Sequence, residues 1–175
     1  MADKGEPDTV KAVGDGDTAS MSGLTGERVW RQIAKASFAV LSHVTPTGEP
    51  RSSGVLYAVA GRRLYTVVAP DSWKARHITA HGRVAVTVPI RRGGLLALLM
   101  PIPPATVSFH ATATVHPADA LKIPEELAKK LPAGRLAGSR IIEIVPDGQF
   151  VAYGLGATLL QMRHPDIARA RVPVG

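Results

Sequence analysis

One stretch, residues 64–83, constrains the fold of this chain more than any other. Its first part, 64–69, is a run of β-prone residues that ends at Pro70 and Asp71. A short helical pattern follows, with Ser72 or Asp71 as its N-cap. The sequence therefore predicts a strand that leads directly into the start of a helix.

The start of this helix has the features of an anion site. Trp73, His77 and Ala80 recur at helical spacing on one side, and Lys74 and Arg76 lie off that side. Two cations then stand beside backbone N–H groups that have no partner within the helix, which favours phosphate binding. The alternative is an ordinary capped amphipathic helix that presents Lys and Arg to water.

Length and composition limit the class of protein. The 175 residues fit a flexible tail at 1–22 and a single domain at 23–175. Because the sequence has no cysteine, disulfides, thiolate metal sites and cysteine nucleophiles are excluded. The sequence shows no apolar run of about 18 residues and no basic-plus-apolar leader, so we expect a cytoplasmic protein without a membrane span.

The net charge of +7 is unevenly distributed, since residues 1–22 carry −3 and the remainder carries +10. A basic body attracts phosphorylated small molecules and nucleic acid alike. Its basic residues are scattered in short pairs such as Arg62-Arg63, with few aromatic residues between them, which is not the pattern of a base-stacking platform. A small-molecule partner is therefore favoured over nucleic acid.

The other patterns predict a mainly β chain behind one helix at 25–36. Strands are predicted at 38–44, 51–60, 64–69, 84–90, 106–115, 139–145 and 150–153, and the end from Gly154 onward is predicted to be part strand and part tail. The residues at 61–63 should close an antiparallel hairpin, and Pro146-Asp147-Gly148 has the residues of a reverse turn. The predicted fold is a six- to seven-stranded antiparallel β-barrel with helical insertions.

Two segments between strands need a separate interpretation. Residues 91–104 contain an apolar run at 95–102 that is too short to span a bilayer and too apolar to lie bare in water. A subunit contact or a lid over a ligand pocket is favoured, with interfacial membrane contact as the alternative. Residues 117–131 are predicted to form one or two short helices divided at Pro124.

Several of these segments, taken in order, resemble a known family. They are the Phe-Ala-Val-Leu-Ser strand at 38–42, the Thr-Gly-Glu-Pro-Arg turn at 47–51, the Leu-Tyr-Thr-Val-Val strand at 64–68 and the Ser-Trp-Lys-Ala-Arg helix start at 72–76. This order resembles the pyridoxamine 5'-phosphate oxidase-like family of FMN- or F420-binding split β-barrels. The most specific part is the strand followed by Ser-x-Lys-x-Arg.

The resemblance implies a flavin (FMN) or deazaflavin (F420) cofactor in a cleft at the interface of a homodimer. It implies that Ser72, Lys74 and Arg76 bind the phosphate of the cofactor. The residues implied to pass by the ring system, or to offer backbone groups to it, are Arg51, Ser52, Ser53, Gly54, Val67 and Val68. The Arg and His residues that hold pyridoxamine phosphate in the true oxidase have no matching run, so vitamin B6 synthesis is not implied.

Hydride transfer by a cofactor accounts for the lack of an evident catalytic acid, base or nucleophile. His77 and His81 have i, i+4 spacing without an HExxH glutamate, so no metal site is predicted. Tyr57, Tyr65 and Tyr153 are candidates to donate a proton, although barrel packing is favoured for each. We expect an FMN- or F420-dependent oxidoreductase that acts on a small organic substrate, and the apolar segment suits a hydrophobic one. The alternatives are a non-catalytic cofactor or ligand carrier and, behind it, a nucleic-acid-binding protein.

Overall fold

The computed structural model describes residues 23–92, 102–119 and 138–175. Its first element is helix α1, Gly26–Lys35. Thr25 caps this helix, since its side chain accepts a hydrogen bond from the backbone N–H of Arg28 at 3.3 Å. Its buried residues follow the helical period: Val29, Trp30 and Ile33. The predicted helix at 25–36 is confirmed.

Eight strands in the described residues form one antiparallel sheet, in the order β2-β1-β5-β6-β7-β4-β3 with β8 beside β7. Helix α2, Trp73–His81, joins β4 to β5, and a 3-10 turn, Gln161–Arg163, with a short helix α3, Pro165–Ala168, joins β7 to β8. The strands are β1 Phe38–Val44, β2 Pro50–Leu56, β3 Ala58–Ala60, β4 Arg63–Val68, β5 Arg83–Ile90, β6 Ala105–Pro117, β7 Arg140–Tyr153 and β8 Arg169–Pro173. The predicted mainly β split barrel is confirmed, and β8 lies in the segment from Gly154 onward that was predicted to be part strand.

The two ends of the strand path leave a gap in the barrel. Within the described residues β2 pairs only with β1, and β3 pairs only with β4. Strand β2 lies close to β4 without pairing with it. We call the gap between β2 and β4 the split.

The predicted strand at 51–60 is in fact two strands, β2 and β3, which break at Tyr57. The backbone N–H of Tyr57 donates to the carbonyl of Ser37 at 3.0 Å, and its hydroxyl donates to the carbonyl of Ile33 at 2.6 Å. Tyr57 is fully buried, so the chain turns inward here and changes its strand partner. The predicted hairpin is confirmed for β3 and β4, because Gly61 and Arg62 both have positive φ, 55° and 57°, as a two-residue primed turn requires.

The predicted reverse turn at Pro146-Asp147-Gly148 is wrong, because β7 continues through it. Strand β6 pairs with β7 on both sides of these residues, and the register shifts where Ser108 and His110 face them. The turn-forming residues are accommodated as a bulge, in which Gly148 has a φ of 66°. Pairing with the long strand β6 before and after these residues overrides their local preference for a turn.

The core lies on the inner face of the sheet and under α1, as the alternation of apolar residues predicts. The ring of Phe150 packs edge-to-face against both Trp30 and Phe109, with ring centroids 5.3 Å apart in each pair. The largest fully buried side chains include Tyr57, Phe150, Ile33, Leu41, Leu64, Ile78, Ile141, Ile142 and Ile144.

Three predictions concern residues outside the described part of the chain. They are the flexible tail at 1–22, most of the apolar segment at 93–104, and the helices predicted at 117–131 beyond residue 119. Among the residues that are described, no helix is long and apolar enough to span a membrane.

Candidate functional site

Helix α2 begins where the sequence predicts, directly after β4 and with Ser72 at the N-cap. The first hydrogen bond of the helix runs from the N–H of Arg76 to the carbonyl of Ser72, at 3.2 Å. The preceding N–H groups, at 73–75, have no acceptor within the helix. The side chain of Ser72 makes no capping bond, so its hydroxyl is not engaged in closing the helix start.

The face of α2 that packs against the barrel differs from the predicted one. Ala75 and Ile78 are buried, whereas Trp73 is 40% exposed and Ala80 is exposed. The reason is that α2 packs between β1 and β6, where small and aliphatic residues fit. Of the two cations, Lys74 is half-buried beside this contact and Arg76 is exposed.

Residues 51–54 of β2 were predicted to act together, but the strand turns them to two faces. Arg51 and Ser53 pair with His43 and Leu41 of β1 and share their inner face. Ser52 and Gly54 lie on the outer face.

On the outer face, the hydroxyl of Ser52 lies 2.7 Å from that of Ser42. A Cβ on Gly54 would lie 2.7 Å from Cε2 of Phe38, so a larger residue here would require the exposed ring of Phe38 to move. A ligand on one face of β2 therefore reaches either the side chains of Arg51 and Ser53 or those of Ser52 and Gly54, but not both sets.

The last predicted residues, Val67 and Val68, form the end of β4 on the other side of the split. Val68 is buried with the core and Val67 is half-buried on the opposite face. Because β2 approaches β4 without pairing, the split has residues 51–54 on one side and residues 67–68 on the other. The helix start at Ser72 follows four residues after Val68.

His43, which the sequence analysis did not select, connects β1 to the start of α2. Its ring centroid lies 5.3 Å from that of Trp73 and 5.4 Å from that of His77. Nε2 of His43 lies 3.3 Å from Nδ1 of His77. Nζ of Lys74 lies over the Trp73 ring, 5.5 Å from its centroid. The signal for His43 was its place in 38–44, where alternation with Ala39 and Leu41 puts a histidine on the inner face.

The environment of His43 disfavours its charged form. Its pKa is lowered below the usual histidine value, first because it is buried and then because His77 and Lys74 disfavour a further positive charge. A neutral imidazole donates from one nitrogen and accepts at the other.

Two buried side-chain atoms among the described residues have no hydrogen-bond partner: Nδ1 of His43 and Oγ of Ser53. They lie on the same inner face of the β1–β2 ladder, because His43 pairs with Arg51 and the adjacent inward residue, Leu41, pairs with Ser53. Leaving such an atom unpaired costs about 1–3 kcal/mol. An imidazole and a hydroxyl beside Arg51 and Lys74 fit an oxygen-rich anionic group, so the residues present suit a phosphorylated cofactor.

The arginines that follow β5 differ in what they contact. Arg91 is exposed. The guanidinium of Arg92 donates to the carbonyl of Ala157 and contacts the sulfur of Met162. Arg92 therefore holds the segment after β7 in place and is engaged within the chain.

A second polar cluster, which the sequence analysis also missed, surrounds the buried carboxylate of Glu143 on β7. Nη1 of Arg63 lies 2.5 Å from Oε1, the hydroxyl of Tyr65 donates to Oε1 at 3.3 Å, and Nε2 of His116 lies 2.9 Å from Oε2. The bond from Arg63 is the main cause that lowers the pKa of Glu143, against its burial, and bonds from His116 and Tyr65 add to it. The cluster joins β4, β6 and β7.

Two of the three tyrosines have the packing role that the sequence analysis favours. The hydroxyl of Tyr57 donates to the carbonyl of Ile33, and that of Tyr153 donates to the carbonyl of Met162 at 2.6 Å. Tyr65 instead donates to a carboxylate, and burial, with Glu143 beside it, raises its pKa. A raised pKa makes Tyr65 a weaker acid than free tyrosine.

The described part of the chain contains no group of three or more His, Asp or Glu side chains that could hold a metal ion. His77 contacts His43 on β1, and His81 is exposed at the end of α2.

The fold is shared with solved structures of several functions. An F420 reductase is 21% identical, with 69% of this chain and 93% of that chain covered and a TM-score of 0.52. A FAD-binding protein from Mesorhizobium loti is 18% identical, with 71% and 91% covered and a TM-score of 0.55. The heme storage protein from Vibrio cholerae is 12% identical, with 75% and 96% covered and a TM-score of 0.53. At these identities the likeness concerns the fold.

A comparison with curated proteins finds no match. A sequence model of the pyridoxamine 5'-phosphate oxidase family matches residues 26–148, which is more than half of the chain. That range runs from the first residue of α1 into β7 and includes β2, the split and the start of α2. The chain therefore belongs to the pyridoxamine 5'-phosphate oxidase family.

Proposed function

We propose that this protein is a cytoplasmic, homodimeric oxidoreductase that binds FMN or F420 and transfers a hydride to a small organic substrate. The observation that carries the proposal is the position of His43, which brings the start of α2 next to the strand pair that contains Arg51 and Ser53. Family membership and flavin-related structural relatives support the same cofactor class.

The start of α2 is the proposed phosphate site. Backbone N–H groups at 73–75, the unengaged hydroxyl of Ser72 and the ammonium of Lys74 all donate, and the helix dipole favours a negative charge here. Arg76 is exposed on the same helix, and its long side chain contributes charge at the rim. Bonds of this charge-assisted kind contribute about 1.5–3 kcal/mol each.

The ring system is proposed to lie in the split, between residues 51–54 and residues 67–68. Because only one face of β2 meets the ligand, we assign Arg51 and Ser53 to side-chain contacts and the other two positions to backbone contacts. When bound, the cofactor supplies the hydride, and the chain binds it, orients it and excludes water. The partnerless hydroxyl of Ser53 supports a polar atom of the ligand at this position.

The choice between the two cofactors depends on cations beyond the phosphate site. F420 carries a longer polyanionic tail, which a further basic groove would stabilise. Arg92 is bonded to Ala157, so Arg51 and Arg91 are the remaining candidates in the described residues for such a groove. FMN and F420 therefore remain nearly equal candidates.

The homodimer is proposed to form through the outer face of β2, β1 and β5. Phe38 and Leu56 are cross-strand partners on this face and are 44% and 51% exposed, and Val44 is 36% exposed. Ser42, Ser52 and Thr87 add hydroxyl groups without adding charge. Arg83 at the start of β5 is the charged side chain on this face of the three strands, and it is paired with Asp147 at 3.1 Å. Exposed large apolar residues with a single, paired charge support an interface between two copies.

A ligand carrier on the same barrel is the second candidate. The heme storage protein among the structural relatives supports it, as does the lack of an evident catalytic acid or base in the described residues. Purification followed by addition of FMN, F420 or heme distinguishes the two candidates. An oxidoreductase takes up FMN or F420 and reoxidises the reduced cofactor when an acceptor substrate is supplied. A carrier binds its ligand and leaves its redox state unchanged.

A further inference from the structure

His77 lies one helical turn after Trp73, so its side chain leans back toward the start of α2. The two rings are 5.5 Å apart between centroids. On its other side His77 contacts His43, with Nδ1 of His77 3.3 Å from Nε2 of His43. His77 is thus held near the proposed phosphate site by one residue of its own helix and one of β1.

The bond between the two imidazoles contains one proton. His43 is 5% exposed and His77 is half-buried, so water reaches His77 more readily. A second proton is therefore better accommodated at Nε2 of His77, while Nδ1–H of His77 donates to Nε2 of His43. The product is a single imidazolium, His77, with a neutral His43 beside it.

The charges around this pair are mostly positive. Those on α2 and on the paired strand β2 are Lys74, Arg76, His81 and Arg51. Arg51 is paired with Glu49 at 3.2 Å, and the acidic residue before the helix, Asp71, is exposed. Strand β6, which also packs on α2, turns uncharged residues inward. Burial, and then the positive charge of His77 and Lys74, lowers the pKa of His43, and an anion at the helix start would offset that positive charge.

We propose that His77 is a third cationic group of the anion site, and that binding of a dianion at the start of α2 is accompanied by uptake of one proton by the His43–His77 pair. The inference rests on the proposed function, because it needs the phosphate site at this helix. It adds that affinity for the dianion rises as the pH falls through the histidine range, since the bound anion favours the charged imidazole.

Sulfate is the probe that tests this, because it remains a dianion throughout the range from about pH 5.5 to pH 8, in which imidazole titrates. The protonation of each histidine is followed by NMR of the imidazole nitrogens, with and without saturating sulfate. We expect saturating sulfate to increase the protonated fraction of His77, and sulfate to bind about threefold to tenfold more tightly at pH 5.5 than at pH 8.

Three variants make the result specific. His77→Gln should lose the pH dependence of sulfate binding, because glutamine cannot take up the proton. His110→Gln, which removes an exposed histidine from β6, should keep it. Lys74→Ala should weaken sulfate binding at every pH.

The outcomes separate the two claims. Binding that depends on Lys74 but shows no change in the protonation of His77 and no pH dependence overturns the role of His77 and leaves the phosphate site intact. Sulfate binding that is unchanged in Lys74→Ala, or no sulfate binding at all, overturns the phosphate site and this inference with it.

Discussion

Arg63 on β4 and Glu143 on β7 form an ion pair in which Nη1 and Oε1 lie 2.5 Å apart, with His116 and Tyr65 on the same carboxylate. Tyr65 and Glu143 are directly opposite in the register of the two strands. Glu143 is 9% exposed, so its charge needs these partners. The pair joins neighbouring strands near the end of the strand path.

Glu143→Gln is expected to lower the free energy of unfolding at pH 7 by about 1–3 kcal/mol, because Arg63, Tyr65 and His116 lose a charged acceptor. The pKa of Glu143 is lower in the folded state than in the unfolded chain, so its contribution is complete above the unfolded value and is lost as the pH falls through the folded one. The difference between parent and variant should therefore shrink as the pH falls below the ordinary glutamate range. Urea unfolding at pH 7 and at progressively lower pH measures it.

The matched control is Glu49→Gln, which removes the carboxylate of the exposed pair with Arg51. An exposed pair contributes about 0–1 kcal/mol, so this variant should change the free energy of unfolding very little. Equal effects of the two substitutions would contradict the special role of Glu143.

Tyr57→Phe should lower the free energy of unfolding by about 1–2 kcal/mol. Ile33 lies in the last turn of α1, where carbonyls lack partners within the helix, and the Tyr57 hydroxyl supplies one. Thermal unfolding monitored by circular dichroism measures the loss, and a shift of the melting temperature within error of zero would show that this bond contributes nothing. Tyr65→Phe is the comparison, because its bond is longer, at 3.3 Å, and only part-buried.

Leu56→Asp should convert a dimer to a monomer, because it places an unpaired charge opposite Phe38 in the apolar part of the outer face. Light scattering at micromolar concentration measures the mass. Leu160→Asp is the control, since Leu160 is 68% exposed but belongs to the connection from β7 to β8, away from the proposed interface. A monomeric parent protein would contradict the dimer. A dimer that persists in Leu56→Asp would show that the interface lies on another face.

Arg92→Ala should lower stability by about 1–3 kcal/mol, because the Ala157 carbonyl loses a charged donor. Its effect on FMN and F420 affinity should be less than about twofold. Arg91→Ala is the matched neighbour, and as an exposed cation it should leave stability unchanged. Calorimetric titration of both cofactors, combined with urea unfolding, checks the pair. A large loss of F420 affinity in the Arg92 variant would show that this guanidinium serves the cofactor instead.

The strand and helix positions were largely predictable because each has a local signal. Alternation predicts β1 and β6, and the run into Pro70 predicts the helix start at Ser72. The errors come from partners distant in sequence. Strand β7 continues through its turn residues because β6 pairs along both sides.

The site was less predictable than the fold. Ala75 faces the core instead of Trp73 because β1 and β6 set the packing face of α2. His43 belongs to the site only because the barrel brings β1 against that helix, a contact that no local pattern encodes. Glu143 gave no signal in sequence because its three partners come from β4 and β6.

The central claim, that the start of α2 holds the phosphate of a flavin-type cofactor, is tested most directly by calorimetric titration of FMN and F420 into the parent and Lys74→Ala. We expect at least one cofactor to bind the parent and to bind the variant about tenfold to a hundredfold more weakly, which corresponds to about 1.5–3 kcal/mol. Arg31→Ala, which removes an exposed cation from α1, should leave that affinity unchanged. Equal affinity of the parent and Lys74→Ala, or no binding of either cofactor to the parent, would contradict the claim.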